Sequence, residues 1–335
     1  MEAQLMKKRY FKKTYFHLCS LLTLIFSCHI THGKDIKNIV LNTAFFALPG
    51  LHGGGSRPRY IKECLALDKT IKIIRVNYPK TWTTKDLAQQ QCISHLDKPL
   101  KKDKTSNIVI HATSQGGGTA LNYIAMVDQG KKIKALILEA PLISGNDAIL
   151  YTLKSVMPGI TNTPFSYYWL PYLAKIRFPW YCPSGIQTIK SVPQIPDIPI
   201  IIIHAKNAPQ LSYAGSCALY YGLRAQGNNN VYLISTKSSR HVRILTKKPE
   251  LQKVFQAILK KHNLLDNKKI DLKKISLAPY QPNLDQYKNL YKNLLSQEKW
   301  HERVFYGGTI AAAGTAVALT YYAGKKLYKK YVTCS

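Results

Sequence analysis

Residues 107–126 read NIVIHATSQGGGTALNYIAM. An apolar, β-branched run breaks at a hydroxyl-rich turn with three consecutive glycines, then resumes with alanine, leucine and isoleucine. Ile108 to Ala112 predicts a strand, Thr113-Ser114-Gln115 a tight turn, and Gly116 to Met126 the opening of a helix. A strand that feeds a helix through so short a turn is the building unit of a sheet covered by helices.

The same alternation extends outward from about Asn38 to Asn263. IVLNTAFFALPG, IKIIRVNYP, IKALILEAP, IPIIIIHA and NVYLIST are apolar runs of strand length, several β-branched and without polar alternation, as expected of strands buried on both faces. TTKDLAQQQCISHLDKPL, GGTALNYIAMVDQ, YAGSCALYYGLRAQGN and KPELQKVFQAILKKHNLL read as helices between or after them. The expected fold class is therefore α/β, with a mostly parallel central sheet. Between LILEAPLIS and IPIIIIHA lies an aromatic, proline-rich insertion, 147–196, carrying Phe165, Tyr167, Tyr168, Trp169, Phe178 and Trp180. A stretch this long between two strands reads as a small cap.

A serine at the strand-to-helix turn has a specific chemical use. Its Oγ projects above the sheet, and the next N–H, that of Gln115, points from the helix start toward a developing oxyanion. The pattern is Ala-x-Ser-x-Gly-Gly, with Ala112 where a glycine is usual. The glycines let backbones meet more closely than a Cβ would allow. Upstream, LPGLHGGGSRP follows a strand, and Gly54 is expected to supply the second oxyanion N–H. Downstream, VYLISTKSSRHVRI places His241 in a loop just after a strand, where it could take the proton from Ser114.

Together these residues resemble the α/β-hydrolase superfamily, closest to serine hydrolases of the Bem46/ABHD type, over residues 38–263. The resemblance implies two-step acyl transfer: attack by Ser114, proton transfer through His241, and an oxyanion hole of the Gly54 and Gln115 N–H groups. It implies an ester substrate, small or lipid, and no cofactor. The family commonly carries its triad acid in the loop after PIIIIHA, but here that loop reads HAKNAPQLSY, with Ala208 at the acid position and Asn207 beside it. Three alternatives stay open: Asn207 orients the histidine as an amide, Asp147 supplies the acid from the end of the preceding strand, or the chain is a catalytically weakened hydrolase fold that binds or scaffolds. Glu139, near Asp147, reads as a structural residue, and His111 as a packed core residue.

The composition bounds the remaining possibilities. Of 335 residues 46% are hydrophobic, enough for a substantial core. The net charge is +31, but the lysines are spread along the chain and no module pairs arginines with stacking aromatics, so no nucleic-acid partner is expected. No spacing of His, Cys and Asp suggests a metal, and HGGGSR lacks the lysine and helix of a phosphate loop.

The two ends carry targeting patterns. Residues 1–33 have a basic start (Lys7, Lys8, Arg9, Lys12, Lys13) and a short apolar core from Leu18 to Cys28, expected as a signal peptide cleaved after Gly33, with an uncleaved anchor as the alternative. Residues 304–324, VFYGGTIAAAGTAVALTYYAG, are uncharged, flanked by tyrosines and followed by KKLYKK, which predicts a transmembrane helix with a basic inner tail, 325–335. Residues 264–303 read as a basic tether. The expected topology is an exported hydrolase domain held on the extracytoplasmic side by the C-terminal helix, its oligomeric state open. Cys64, Cys92, Cys182 and Cys217 fall in the exported part, an even number that permits two disulfides.

Overall fold

The computed structural model describes residues 43–50, 58–65, 71–76, 91–103, 105, 107–128, 133–144, 188–296 and 320. All of them lie in one unit that begins at Asn42; the other unit, Met1–Leu41, is wholly outside the described residues. Each of the six apolar runs contains a strand: β1 (Thr43–Leu48), β2 (Lys72–Arg75), β3 (Asn107–Thr113), β4 (Ile133–Glu139), β5 (Ile200–Ala205) and β6 (Val231–Thr236). They form one sheet in the order β2-β1-β3-β4-β5-β6, and every pairing is parallel. All residues of β1 and β5 are buried, which is why those runs show no polar alternation.

The described helices include α1 (Pro58–Leu65), α2 (Gln91–Lys102), α3 (Gln115–Tyr123), α4 (Thr188–Ser191), α5 (Tyr213–Ala225) and α6 (Pro249–Lys261), and residues 288–296 are also helical. α6 shows why such segments are helical: proline stands at its start, Glu250 in its first turn, and Lys260 and Lys261 in its last, each favourable to the helix dipole. Its apolar residues Phe255 and Ile258 join Tyr60 and Ile61 of α1 on one sheet face, against Phe45, Ile137 and Ile201. On the other face, Leu96 of α2, Leu121 of α3 and Leu219 of α5 pack on Phe46, Ile110 and Ile202.

This topology sets up the switch point at which α/β sheets open a crevice. β1 is followed by α1 on one face and β3 by α3 on the opposite face, although β1 and β3 are neighbours. Chains leaving two adjacent parallel strands in opposite directions part at their carboxyl ends, where α/β sheets bind ligands. Ser114 stands at that point, immediately after β3.

Residues 264–296, read from sequence as a tether, lie packed on the domain. Leu264, Leu265 and Ile270 are buried, and Ile275, Leu277 and Tyr280 pack on the α1/α6 face. Farther on, Leu284, Tyr287, Leu290, Tyr291 and Leu295 pack on the opposite face. Between them the Gln281 amide donates to the carbonyls of Asn229 (2.8 Å) and Val231 (3.4 Å), beside outer strand β6. The segment thus wraps the strand that would otherwise be an open sheet edge. Its apolar residues are dispersed among lysines and other polar residues, which gave the stretch a polar look in the sequence.

Of the four cysteines whose number permits disulfides, Cys64 and Cys217 are free thiols, each buried in the core of a different sheet face, so the sheet itself separates them. The side chains of Cys92 and Cys182 are not among those described. Among the described residues no helix is long and apolar enough to cross a membrane. The expected signal peptide, span and inner tail lie outside the described residues apart from Thr320, as does most of the expected cap, of which only 188–196 are described.

Candidate active site

Ser114 has φ 53° and ψ −120°, a backbone conformation that L-residues rarely adopt. Its main chain is fixed on every side. Its N–H donates to the Glu139 carbonyl (2.9 Å), and its carbonyl accepts from the N–H groups of Gly117 and Leu142 (2.9 Å each). Such bonds hold a strained turn that would otherwise relax, and strain held in this way is a feature of functional sites. As the first residue of α3, Gln115 has an N–H that its own helix cannot satisfy. It lies next to a serine that is only half-buried.

Two glycines make the turn possible. A Cβ at Gly116 would stand 2.7 Å from the carbonyl oxygens of both Leu48 and Pro49, and one at Gly117 would stand 2.8 Å from the Cβ of Pro141. The end of β1 therefore presses directly on the turn after β3. A Cβ at Gly50 would meet Ser114 at 3.1 Å from its Cβ and 3.6 Å from its Oγ, so the first residues after β1 lie against the Ser114 side chain. Gly54, the expected second oxyanion donor, lies a few residues farther along and outside the described residues, as does His52.

His241 lies in the loop between β6 and α6, and two backbone contacts carry that loop back over the sheet. The N–H of Ile244 donates to Glu139 Oε1 (2.5 Å), and the N–H of Leu245 donates to the Tyr60 hydroxyl (3.2 Å), which itself donates to Glu139 Oε1 (2.9 Å). Glu139 thus holds Ser114 through its carbonyl and the histidine loop through its side chain. Burial pushes the Glu139 carboxyl up to about 7, against the Ile244 and Arg243 N–H groups, the Tyr60 hydroxyl and the Arg243 charge, which pull it down. Its Oε2 is 3.9 Å from His111 Nε2, but burial lowers His111 to about 4, so at neutral pH the contact is not an ion pair.

Among the described residues His241 has no acid partner. Its Nδ1 is buried and makes no hydrogen bond to them, and burial lowers the ring to about 4. Ala208 is buried in the turn after β5, with its N–H on the Ala205 carbonyl (3.1 Å). Asn207 is exposed, and its amide donates to the Lys237 carbonyl (3.2 Å) rather than to His241. Asp147 lies outside the described residues. His204, at the end of β5, bonds Ser216 Oγ (2.6 Å) through Nδ1 and the Leu211 carbonyl (3.2 Å) through Nε2. A carbonyl only accepts, so Nε2 carries a proton. Burial first, then the nearby His241, holds the ring down at about 4.

The insertion expected as a cap is rooted beside the Ser114 turn. Leu142, whose N–H is on the Ser114 carbonyl, accepts through its own carbonyl from Thr188 Oγ1 (2.9 Å). Ser191 Oγ donates to the Asn122 side chain of α3 (2.7 Å). The chain therefore departs and returns within one residue's contact of the turn. Sequence reasoning missed the roles of Tyr60, Gly50 and the Glu139 side chain. Gly50, ending a strand before a glycine-rich run, was the one with a readable signal. Among the described residues no group of His, Cys, Asp and Glu is placed to hold a metal ion.

No protein-family model matches this sequence, and no curated protein sequence matches it. Solved structures that the chain matches include an esterase from Pyrococcus furiosus, with 17% identity and a TM-score of 0.49 over 66% of this chain and 82% of that one. Another is an acylaminoacyl peptidase from Pyrococcus horikoshii, with 16% identity and a TM-score of 0.48 over 72% of this chain and 40% of that one. A third is a monoacylglycerol lipase from Paleococcus ferrophilus, with 15% identity and a TM-score of 0.40 over 66% of this chain and 93% of that one.

Proposed function

We propose that the chain is a serine hydrolase of the α/β-hydrolase superfamily, of the Bem46/ABHD type, that cleaves esters. Ser114 attacks the carbonyl, His241 takes its proton and returns it to the leaving alcohol, and the Gln115 and Gly54 N–H groups receive the oxyanion. The observation that carries this reading is the backbone of Ser114. A left-handed, fully bonded serine at the carboxyl end of β3, beside the crevice and followed at once by a helix start, is the geometry a nucleophile elbow requires. The aromatic insertion rooted next to it favours an apolar acyl chain or lipid ester. Residues 1–33 and 304–324 support an exported domain anchored on the extracytoplasmic side of a membrane.

The test is covalent labelling by a fluorophosphonate probe, with ester turnover measured alongside. Labelling in the wild type that disappears in Ser114→Ala, and slows in His241→Ala, is the expected result. Labelling that persists in Ser114→Ala would refute the assignment. A second reading, a hydrolase fold that binds or scaffolds without turnover, is favoured by the unpartnered His241 Nδ1 and the alanine at position 208. Correct folding with no labelling and no turnover would support it.

A further inference from the structure

We infer that Glu139 and Tyr60 are positioning residues of the reaction, holding the His241 loop by its backbone and so setting the imidazole's place relative to Ser114. The inference rests on the serine-hydrolase reading and adds to it the means by which the base is held. A triad acid normally orients the histidine through Nδ1, but among the described residues Nδ1 has no partner. What does fix the loop is the pair of N–H groups of Ile244 and Leu245, on Glu139 Oε1 and the Tyr60 hydroxyl.

Three observations set this network apart from ordinary core packing. A carboxyl with no exposed surface is costly to bury, and an apolar side chain would fill the same space more cheaply unless the polar bonds were needed. The loop contains Arg243 and Lys247 at φ 55° and 56°, conformations that persist only when surrounding contacts hold them. Finally, one residue joins both halves of the reaction, since Glu139 accepts from the Ser114 N–H through its carbonyl and from the Ile244 N–H through its side chain. The ionisable groups that bear on Glu139 are Tyr60 and Cys64 from α1, His111 from β3 and Arg243 from the loop itself.

The test uses the full chain and three variants. Tyr60→Phe removes the acceptor for the Leu245 N–H, Glu139→Leu removes the acceptor for Ile244, and Glu139→Gln keeps an oxygen there. Two readouts are taken: the rate constant for fluorophosphonate labelling of Ser114, and native-state trypsin cleavage after Arg240, Arg243 and Lys247. The expected result is a loss of about 10- to 100-fold in labelling rate for Tyr60→Phe and Glu139→Leu, with faster loop cleavage. Glu139→Gln recovers most of both. If Glu139→Leu fails to fold, Tyr60→Phe decides. Wild-type labelling that depends on Ser114, with loop cleavage and labelling unchanged in Tyr60→Phe, would overturn the positioning role alone. An unlabelled wild type would refute the hydrolase reading and the positioning role with it.

Discussion

Gly116→Ala tests whether the end of β1 presses on the serine turn. The added Cβ would sit 2.7 Å from the Leu48 and Pro49 carbonyl oxygens. A relaxed carbon–oxygen contact begins at about 3.3 Å, so each neighbour must retreat by roughly 0.6 Å. Both are backbone atoms at the end of a fully buried strand, with no flexible side chain to yield. Overpacking of this kind costs about 1–3 kcal/mol, and the gain in helix propensity from glycine to alanine offsets about 1 kcal/mol. The net loss is about 0–2 kcal/mol, a fall in Tm of up to about 8 °C. The effect on reactivity is larger, because a displacement of about half an ångström at a nucleophile lowers its rate by about tenfold. Gly222→Ala is the control: its Cβ would run into the Tyr291 ring, overpacking the wrapped C-terminal segment rather than the turn. Thermal melts and fluorophosphonate rate constants for both variants separate the two effects. A Gly116→Ala protein that reacts at the wild-type rate, or a Gly222→Ala protein that loses as much reactivity, would refute the reasoning.

Four other outcomes follow from the same geometry. Ser114→Gly should be more stable than Ser114→Ala by about 1 kcal/mol in urea denaturation, reversing the usual order, because only glycine adopts φ 53° without strain; Ala equal or better would argue against the strained turn. The labelling rate should hold from pH 8 down to about 5 and halve near pH 4, since burial holds His241 at about 4 and only its neutral form accepts a proton; a midpoint at 6.5 or above would reveal a carboxylate on the ring. Stability should fall between pH 6.5 and 4, because His111, His204 and His241 stay neutral in the fold while the unfolded chain takes up protons, each worth up to about 3 kcal/mol. Glu139 opposes one of the three, its contribution being present at low pH and lost as pH rises through about 7, so a urea midpoint at pH 4.5 equal to that at pH 7 would contradict the balance. Ala208→Asp should raise the labelling rate at least about tenfold and move its acid limb upward, since the turn it occupies is bonded to the strand and loop leading to His241 through Lys206 N–H on the Thr236 carbonyl and Asn207 N–H on the Ser238 carbonyl; a destabilised protein with no gain would place the ring out of reach.

Strands such as β1 and β5 were legible because burial on both faces leaves an unbroken apolar run, a signal local in sequence. The serine turn was legible for a similar reason: three glycines after a strand have few uses other than close backbone approach, and Gly116 and Gly117 show that use. The Glu139 network was not legible, because its bonds join residues 79 and 105 positions apart and no local pattern marks them. Tyr60 reads as one more apolar residue of a short helix, and only the return of the His241 loop gives its hydroxyl work. The packing of the segment after Leu264 was less legible, since its apolar residues are dispersed among lysines, asparagines and prolines without the period of a strand or helix.

A triad acid orients the imidazole and also stabilises the positive charge it acquires, and these two tasks are separable here. Orientation has a supplier in the backbone bonds of Ile244 and Leu245. Charge stabilisation has none among the described residues, where burial disfavours the protonated ring by about 3 kcal/mol relative to water. The penalty falls most heavily on substrates whose leaving group must be protonated as it departs, because the imidazolium then forms fully before it acts as an acid. Amides are of that kind, whereas an ester with an acidic leaving alcohol departs with little proton transfer. On the proposed mechanism the same arrangement that leaves His241 without an acid therefore directs the chemistry toward activated esters and away from peptide bonds.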